Sequence, residues 1–151
     1  MLNEQEVKEH LMNANQLLVH KEAVDISEFI KRHHWSMQQS GTGLRFEIYK
    51  AGRGEKPAPN SIVSLAYSVY LLDGTFCYEA DSLKPLTFML GKAQQPGGLE
   101  EGLLMMQAGS KARLVVPSHL GYGAAGDENK IPRSSALVYD VTLLKISHDH
   151  P

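Results

Sequence analysis

Cysteine is almost missing from this chain of 151 residues. Cys77 stands alone, so no internal disulfide can form and the redox compartment is left unread. An excess of either charge is missing as well. Fifteen Lys and Arg face 17 Asp and Glu, a formal net charge of −2, which points away from nucleic acid and from anionic membrane surfaces as partners. No apolar run approaches the ~20 residues that a membrane-spanning helix needs. The first residues, MLNEQEVKEH, are too polar for a signal peptide. Motifs for nucleophilic, metal or phosphate chemistry are lacking too. Ser134-Ser135 has no neighbouring base. Gly121-x-Gly123-x-x-Gly126 has dinucleotide spacing, but it leads to Ile131-Pro132 rather than into a helix. His33-His34 are adjacent, and adjacent helical positions diverge, so capping or solvated roles suit them better than metal ligation. No metal and no cofactor is expected. His148-Asp149-His150 reads as a frayed polar terminus.

What is present is a pattern of short alternating strands around one small helix. The stretch from Lys84 to Met106, KPLTFMLGKAQQPGGLEEGLLMM, organises the rest. Leu86, Phe88 and Leu90 alternate with Thr87 and Met89, as in a half-buried strand. Gly97-Gly98 then opens a helix with Glu100 and Glu101 at its positive end. Leu99, Leu103 and Met106 share one face, and Gly109 is placed to stop the helix. Alternation predicts further strands at 44–49, 62–72, 75–78, 112–116 and 137–146, with a hairpin turn at Asp73-Gly74. Residues 38–43 read as a linker, 51–60 as a loop and 118–135 as a long loop. The class is α+β, with 42% hydrophobic residues to build its core.

Ahead of the strands, residues 1–38 read as a helical extension and 39–151 as the main domain. Asn3-Glu4-Gln5-Glu6 has capping-box spacing, and Val7, Leu11, Ala14, Leu17 and Leu18 form a stripe at helical period. Asp25-Ile26-Ser27-Glu28 resembles a second helix start, so two helices are predicted, near 4–20 and 26–34. Their apolar stripes must cover either the strand domain or a second copy of the chain.

The order of motifs from Asp73-Gly74, through Lys84-Pro85, Phe88-Met89-Leu90-Gly91 and Gly98-Leu99-Glu100-Glu101-Gly102, continues with Gly109-Ser110-Lys111-Ala112. Leu120-Gly121-Tyr122-Gly123, Lys130-Ile131-Pro132 and Leu137-Val138-Tyr139-Asp140-Val141 complete it. This series resembles the FKBP family of peptidyl-prolyl cis-trans isomerases over about residues 44–146. The leading segment is similar to the extension of bacterial envelope members. The resemblance implies a curved antiparallel sheet wrapped over the short helix, with an apolar pocket for X-Pro bonds in polypeptides. It also implies a longer native chain placed in the bacterial envelope; cytoplasm is the alternative if Met1 is the native start.

On the same resemblance, Tyr67 and Tyr122 are the catalytic candidates, and Ile131 and Tyr139 match apolar and aromatic pocket positions. Other positions depart from the family. Cys77-Tyr78 stands where a Phe-Asp pair is usual, which removes an aromatic wall and the pocket carboxylate. Leu99 replaces a tryptophan floor, and Leu86 another aromatic. Gln95-Pro96 replaces Val-Ile, and proline has no N–H to offer a ligand carbonyl. Two readings follow: an isomerase with weak or altered activity that assists folding, and a non-catalytic peptide-binding module on the same fold. A structural or dimerising role of the N-terminal helices, giving a homodimer, is a third.

Overall fold

The computed structural model describes residues 1–148, position 15 by its backbone alone. The chain begins with α1, Glu4–Arg32, a single helix of 29 residues. Its start is the expected capping box: the Asn3 side chain accepts from the Glu6 amide at 2.8 Å, and Glu6 reaches back to the Asn3 amide. The expected break into two helices does not occur. Lys21-Glu22-Ala23 are strong helix formers, and neither Gly nor Pro interrupts the run. The box-like Asp25–Glu28 segment therefore sits in a helix interior, where its amides already have intrahelical partners. His33 is the C-cap, its Nδ1 lying 2.9 Å from the Phe29 carbonyl.

Seven strands follow: β1 Gln38–Gln39, β2 Arg45–Lys50, β3 Ile62–Leu71, β4 Phe76–Ala80, β5 Leu86–Met89, β6 Lys111–Val116 and β7 Leu137–Ser147. The short helix α2, Gly97–Leu104, lies between β5 and β6, and a 3-10 turn occupies Ser118–Leu120. All pairings are antiparallel, in the order β1-β2-β6-β7-β3-β4, with β5 sharing an edge of β3 with β4. β1 is a correction to the linker expected at 38–43: its two residues pair with Phe46 and Arg45. The Asp73-Gly74 turn forms as expected, with Gly74 at φ +91° and the Thr75 amide donating to the Asp73 carboxylate at 2.9 Å. Of the polar tail, His148 meets Glu55 at 3.2 Å; residues 149–150 lie outside the described residues.

The inner face of the sheet packs on α2. Leu99, Leu103 and Met106 are completely buried there with Leu65, Leu114, Val141 and Leu143. Each such side chain contributes roughly 1.5–3 kcal/mol. Helix α2 ends at Leu104, before Gly109, which instead turns the chain into β6 at φ +91°. Glycine is a poor helix former, yet α2 contains Gly98 and Gly102. Close packing explains them: a Cβ on Gly98 would lie 2.5 Å from Val116, and one on Gly102 2.6 Å from Leu114. The outer face carries a second cluster. Ile26, Phe29 and Ile30 of α1 bury against Val115, Ala136 and Val138. The N-terminal stripe of α1 has no such cover: Leu11, Leu17 and Leu18 are 61–70% exposed.

Candidate functional site

Register puts the predicted pocket residues on one face. Leu65, Tyr67 and Val69 point the same way along β3. Opposite them stand Leu86 on β5, Ala80 and Tyr78 on β4, and Leu143, Val141 and Tyr139 on β7. Tyr67 and Tyr139 bring their rings to a centroid distance of 6.1 Å. Val69, Cys77, Leu99, Ile131 and Tyr139 are buried together, with Tyr67, Tyr78, Leu86 and Tyr122 half-buried against them. Gln95 and Pro96 stand aside, at the N-terminal end of α2. Pro96 is its buried N-cap residue, with no N–H to turn toward the pocket.

Adjacent strand residues normally face opposite sides, so Cys77 and Tyr78 should not both reach the pocket. A bulge resolves this. Val69 pairs with Tyr78 but Tyr70 pairs with Phe76, which leaves Cys77 as the extra residue. Both side chains then join the inner cluster.

Electrostatically, the site is a set of neutral hydroxyls beside one anion. Burial pushes up the phenols of Tyr67 and Tyr139, and that of Tyr122, where the negative charge of Asp127 adds to it. Burial likewise raises the Cys77 thiol, helped by Asp127 and Asp73. Among the described residues, the hydroxyls of Tyr67, Tyr122 and Tyr139 have no hydrogen-bond partner, yet no buried side-chain polar atom is left unpaired. Tyr67 and Tyr122 are only half-buried, whereas Tyr139 is 3% exposed, and all three pack with Leu99, Val69 and Ile131 in one apolar cluster.

Asp127 is the residue that the sequence did not single out. The family carboxylate is absent from position 78, as expected, but a carboxylate reaches the rim from the loop after β6. The Tyr78 hydroxyl donates to Asp127 Oδ2, and Asp127 Oδ1 accepts from the Asn129 and Ile131 amides at 2.9 and 2.8 Å. Burial pushes this carboxyl up. The hydrogen bonds from Tyr78, Ile131 and Asn129 outweigh that effect and hold it below the ordinary carboxylate range. The only local signal in the sequence was an aspartate heading a polar turn, Asp127-Glu128-Asn129-Lys130.

A sheet closed over a short helix, with aromatic hydroxyls around an apolar floor, is the arrangement of a prolyl isomerase domain. The chain belongs to the FKBP-type peptidyl-prolyl cis-trans isomerase family, whose model matches residues 53–144. It is 39% identical over 111 residues to the FKBP-type peptidyl-prolyl cis-trans isomerase FkpA of Aeromonas hydrophila, covering 73% of this chain and 40% of that protein. The chain thus spans well under half the length of such relatives. An FK506-binding protein of Neisseria meningitidis is 36% identical over 105 residues, covering 69% of this chain and 96% of the relative. Among solved structures, Escherichia coli FkpA matches with a TM-score of 0.72 at 31% identity, over 97% of this chain and 74% of that one.

Proposed function

We propose that this chain catalyses cis-trans isomerisation of X-Pro bonds in polypeptides and thereby assists folding, at a rate below that of a pocket with the full set of directed contacts. In this reading residues 1–38 are an extension and 39–151 the isomerase domain. Rotation about the peptide C–N bond faces a barrier of about 18–20 kcal/mol, set by amide resonance. Water supports that resonance by solvating the carbonyl. A pocket that strips water from the amide and binds the twisted form more tightly than either planar form lowers the barrier without covalent chemistry.

Tyr122 and Tyr67 are assigned as the hydroxyl donors, Tyr122 acting on a substrate carbonyl. Leu86, Leu99, Ile131 and Tyr139, with Val69, supply the dry surface. Cys77 and Tyr78 form the wall on the β4 side, and Gln95-Pro96 the rim at α2. The observation that carries the reading is the group of unpaired tyrosine hydroxyls over buried apolar side chains. The reduced rate follows from Pro96, which cannot donate from its backbone, and from Leu99, which offers less surface than an indole.

Exchange NMR on a panel of X-Pro peptides tests the proposal, because it detects slow catalysis as well as binding. The parent should accelerate exchange, and Tyr122→Phe should lower kcat/KM by about 2- to 10-fold, the value of one hydrogen bond. Binding without acceleration would replace the isomerase with the peptide-binding module, a reading favoured by the Cys77-Tyr78 and Gln95-Pro96 replacements. For the exposed stripe of α1 we propose a second copy of the chain as partner. What supports this is an apolar stripe of Val7, Leu11, Leu17 and Leu18 left open on a well-capped helix. No helix of the described residues is long and apolar enough to cross a membrane. Placement in the bacterial envelope is proposed on family likeness only.

A further inference from the structure

We propose that Cys77 and Tyr78 act as a two-point clasp that positions the 122–131 loop for binding X-Pro peptides, with Asp127 as the carboxylate through which the clasp closes. The proposal rests on the reading of this pocket as an X-Pro site and adds to it a role for two residues that otherwise only weaken the wall.

The contacts converge on one turn. The Tyr78 hydroxyl donates to Asp127 Oδ2 and accepts from the Lys130 amide at 3.4 Å, so a single oxygen grips both ends of residues 127–130. The Cys77 thiol, placed beside it by the bulge, lies 3.9 Å from the Lys130 carbonyl and 3.7 Å from the Thr75 carbonyl, and its one S–H is shared between them. The Lys130 ammonium sits over the Tyr78 ring, 5.3 Å from its centroid. Inside the turn, Asp127 Oδ1 takes the Asn129 and Ile131 amides, and the Asp127 amide donates to the Ile131 carbonyl at 3.0 Å. Ile131 is a buried wall of the pocket. The same turn is tied to Tyr122 by the Gly126 amide, which donates to the Tyr122 carbonyl at 3.2 Å.

Backbone geometry shows why the loop needs fastening. Gly123, Gly126 and Glu128 all have positive φ, at 63°, 71° and 60°. Glu128 carries a side chain in a conformation that costs free energy, so contacts outside the turn must hold it there. Position 126 accepts only glycine, since a Cβ would lie 2.6 Å from the Ile131 carbonyl oxygen. Tyr78 is therefore a positioning residue: it acts on substrate through Asp127, Ile131 and Tyr122.

The groups that face the Asp127 carboxylate are Tyr78 and Cys77 from β4, and Tyr122 and the Asn129 and Ile131 amides from its own loop, while the Lys130 ammonium lies over the Tyr78 ring. Because its carboxyl is held low, the clasp is closed throughout the neutral range. It opens only as pH falls through that lowered value.

The test uses the full chain, isotope-labelled, with Ala-Leu-Pro-Phe peptide as the probe. Wild type, Tyr78→Phe, Asp127→Asn and the double variant are compared in peptide titrations, amide hydrogen exchange and carboxyl NMR titrations. Tyr78→Phe should move the Asp127 midpoint up toward the ordinary carboxylate value and speed exchange at Lys130 and Ile131. Either single variant should weaken peptide binding by about 3- to 10-fold, and the double variant by no more than the worse single, because both remove one bond. An unmoved Asp127 midpoint, losses that multiply in the double variant, or unchanged affinity despite a loosened loop would each overturn the proposal. If wild type binds no X-Pro peptide, the isomerase reading fails instead, and the midpoint and loop exchange still decide whether the clasp exists.

Discussion

The two halves of α1 share one backbone and differ in everything else. In the first half the helix is held by local chemistry: a capping box, acidic residues Glu4 and Glu6 in the first turn, and good helix formers. Its apolar residues face outward. In the second half Ile26 is 2% exposed and Phe29 6%, both pressed on the Val115–Val138 pair of neighbouring strands. Side-chain bonds fix the same region: the Glu22 carboxylate accepts from the Ser118 amide at 2.8 Å, and Arg45 donates to the Ser27 hydroxyl at 3.1 Å. Beyond the helix end, Arg113 stacks on Trp35 and on Tyr49, at 5.2 and 4.1 Å, and pairs with Glu47 at 2.9 Å. A helical period in sequence thus identified a helix, but not which part of it has a partner.

The largest effect should come from cutting the buried half. Phe29→Ala removes a ring packed on Trp35 and the outer sheet face, and should cost about 3–5 kcal/mol in denaturant unfolding. A loss below about 1 kcal/mol would mean that α1 is only loosely seated.

Overpacking the inner helix should come next. Gly98→Ala pushes a methyl group against Val116 and should cost about 1–3 kcal/mol, while the exposed Gly97→Ala should be neutral or stabilising. Equal melting temperatures for the two variants would refute the close approach of α2 to β6.

Changing the open half should leave folding almost alone. Replacing Leu11, Leu17 and Leu18 by Ser should shift dilute-solution stability by no more than about 0.5 kcal/mol per site, apart from helix propensity. In sedimentation, the same variant should convert a dimer to monomer. A wild type that is monomeric at high concentration would remove the case for a second copy.

The smallest effect concerns Tyr49, whose hydroxyl donates to Asp140 at 2.7 Å. Burial, that hydrogen bond and the Asp140 charge raise the phenol to about 12, partly offset by Arg113. Because the folded value lies above the unfolded one near 10, the contribution is complete below pH 10 and is lost as pH rises toward 12. Tyr49 is 39% exposed, so solvent screening keeps the contribution small. Tyr67, Tyr122 and Tyr139 are raised as well, so the check is the difference in ultraviolet titration between wild type and Asp140→Asn, which should move one phenol to lower pH.

Strand positions, the Asp73-Gly74 hairpin and the buried face of α2 were legible because each is written in a local period or a turn residue. The inward placement of Tyr67 and Tyr139 was legible because alternation fixes the face on which they lie. The break expected at Asp25 was not real, since a capping box has meaning only where the preceding chain is not already helical. The strand at Gln38–Gln39 was invisible for a different reason: two polar residues carry no periodicity, and only the presence of β2 beside them makes a ladder.

Taken by itself, the sequence determined the α+β class, the capping of α1, the apolar inner face of the sheet and the family to which the chain belongs. These depend on residues close together in the chain or on motif order. Tertiary structure alone decided that one half of α1 is covered and the other open, and that Cys77 and Tyr78 share a face. It also decided that a carboxylate returns to the pocket rim from Asp127, 49 residues beyond the tyrosine it meets. No local propensity encodes a bond between such distant positions. It exists because a bulge in β4 turns one side chain inward while a glycine-bearing loop closes over the same edge of the sheet.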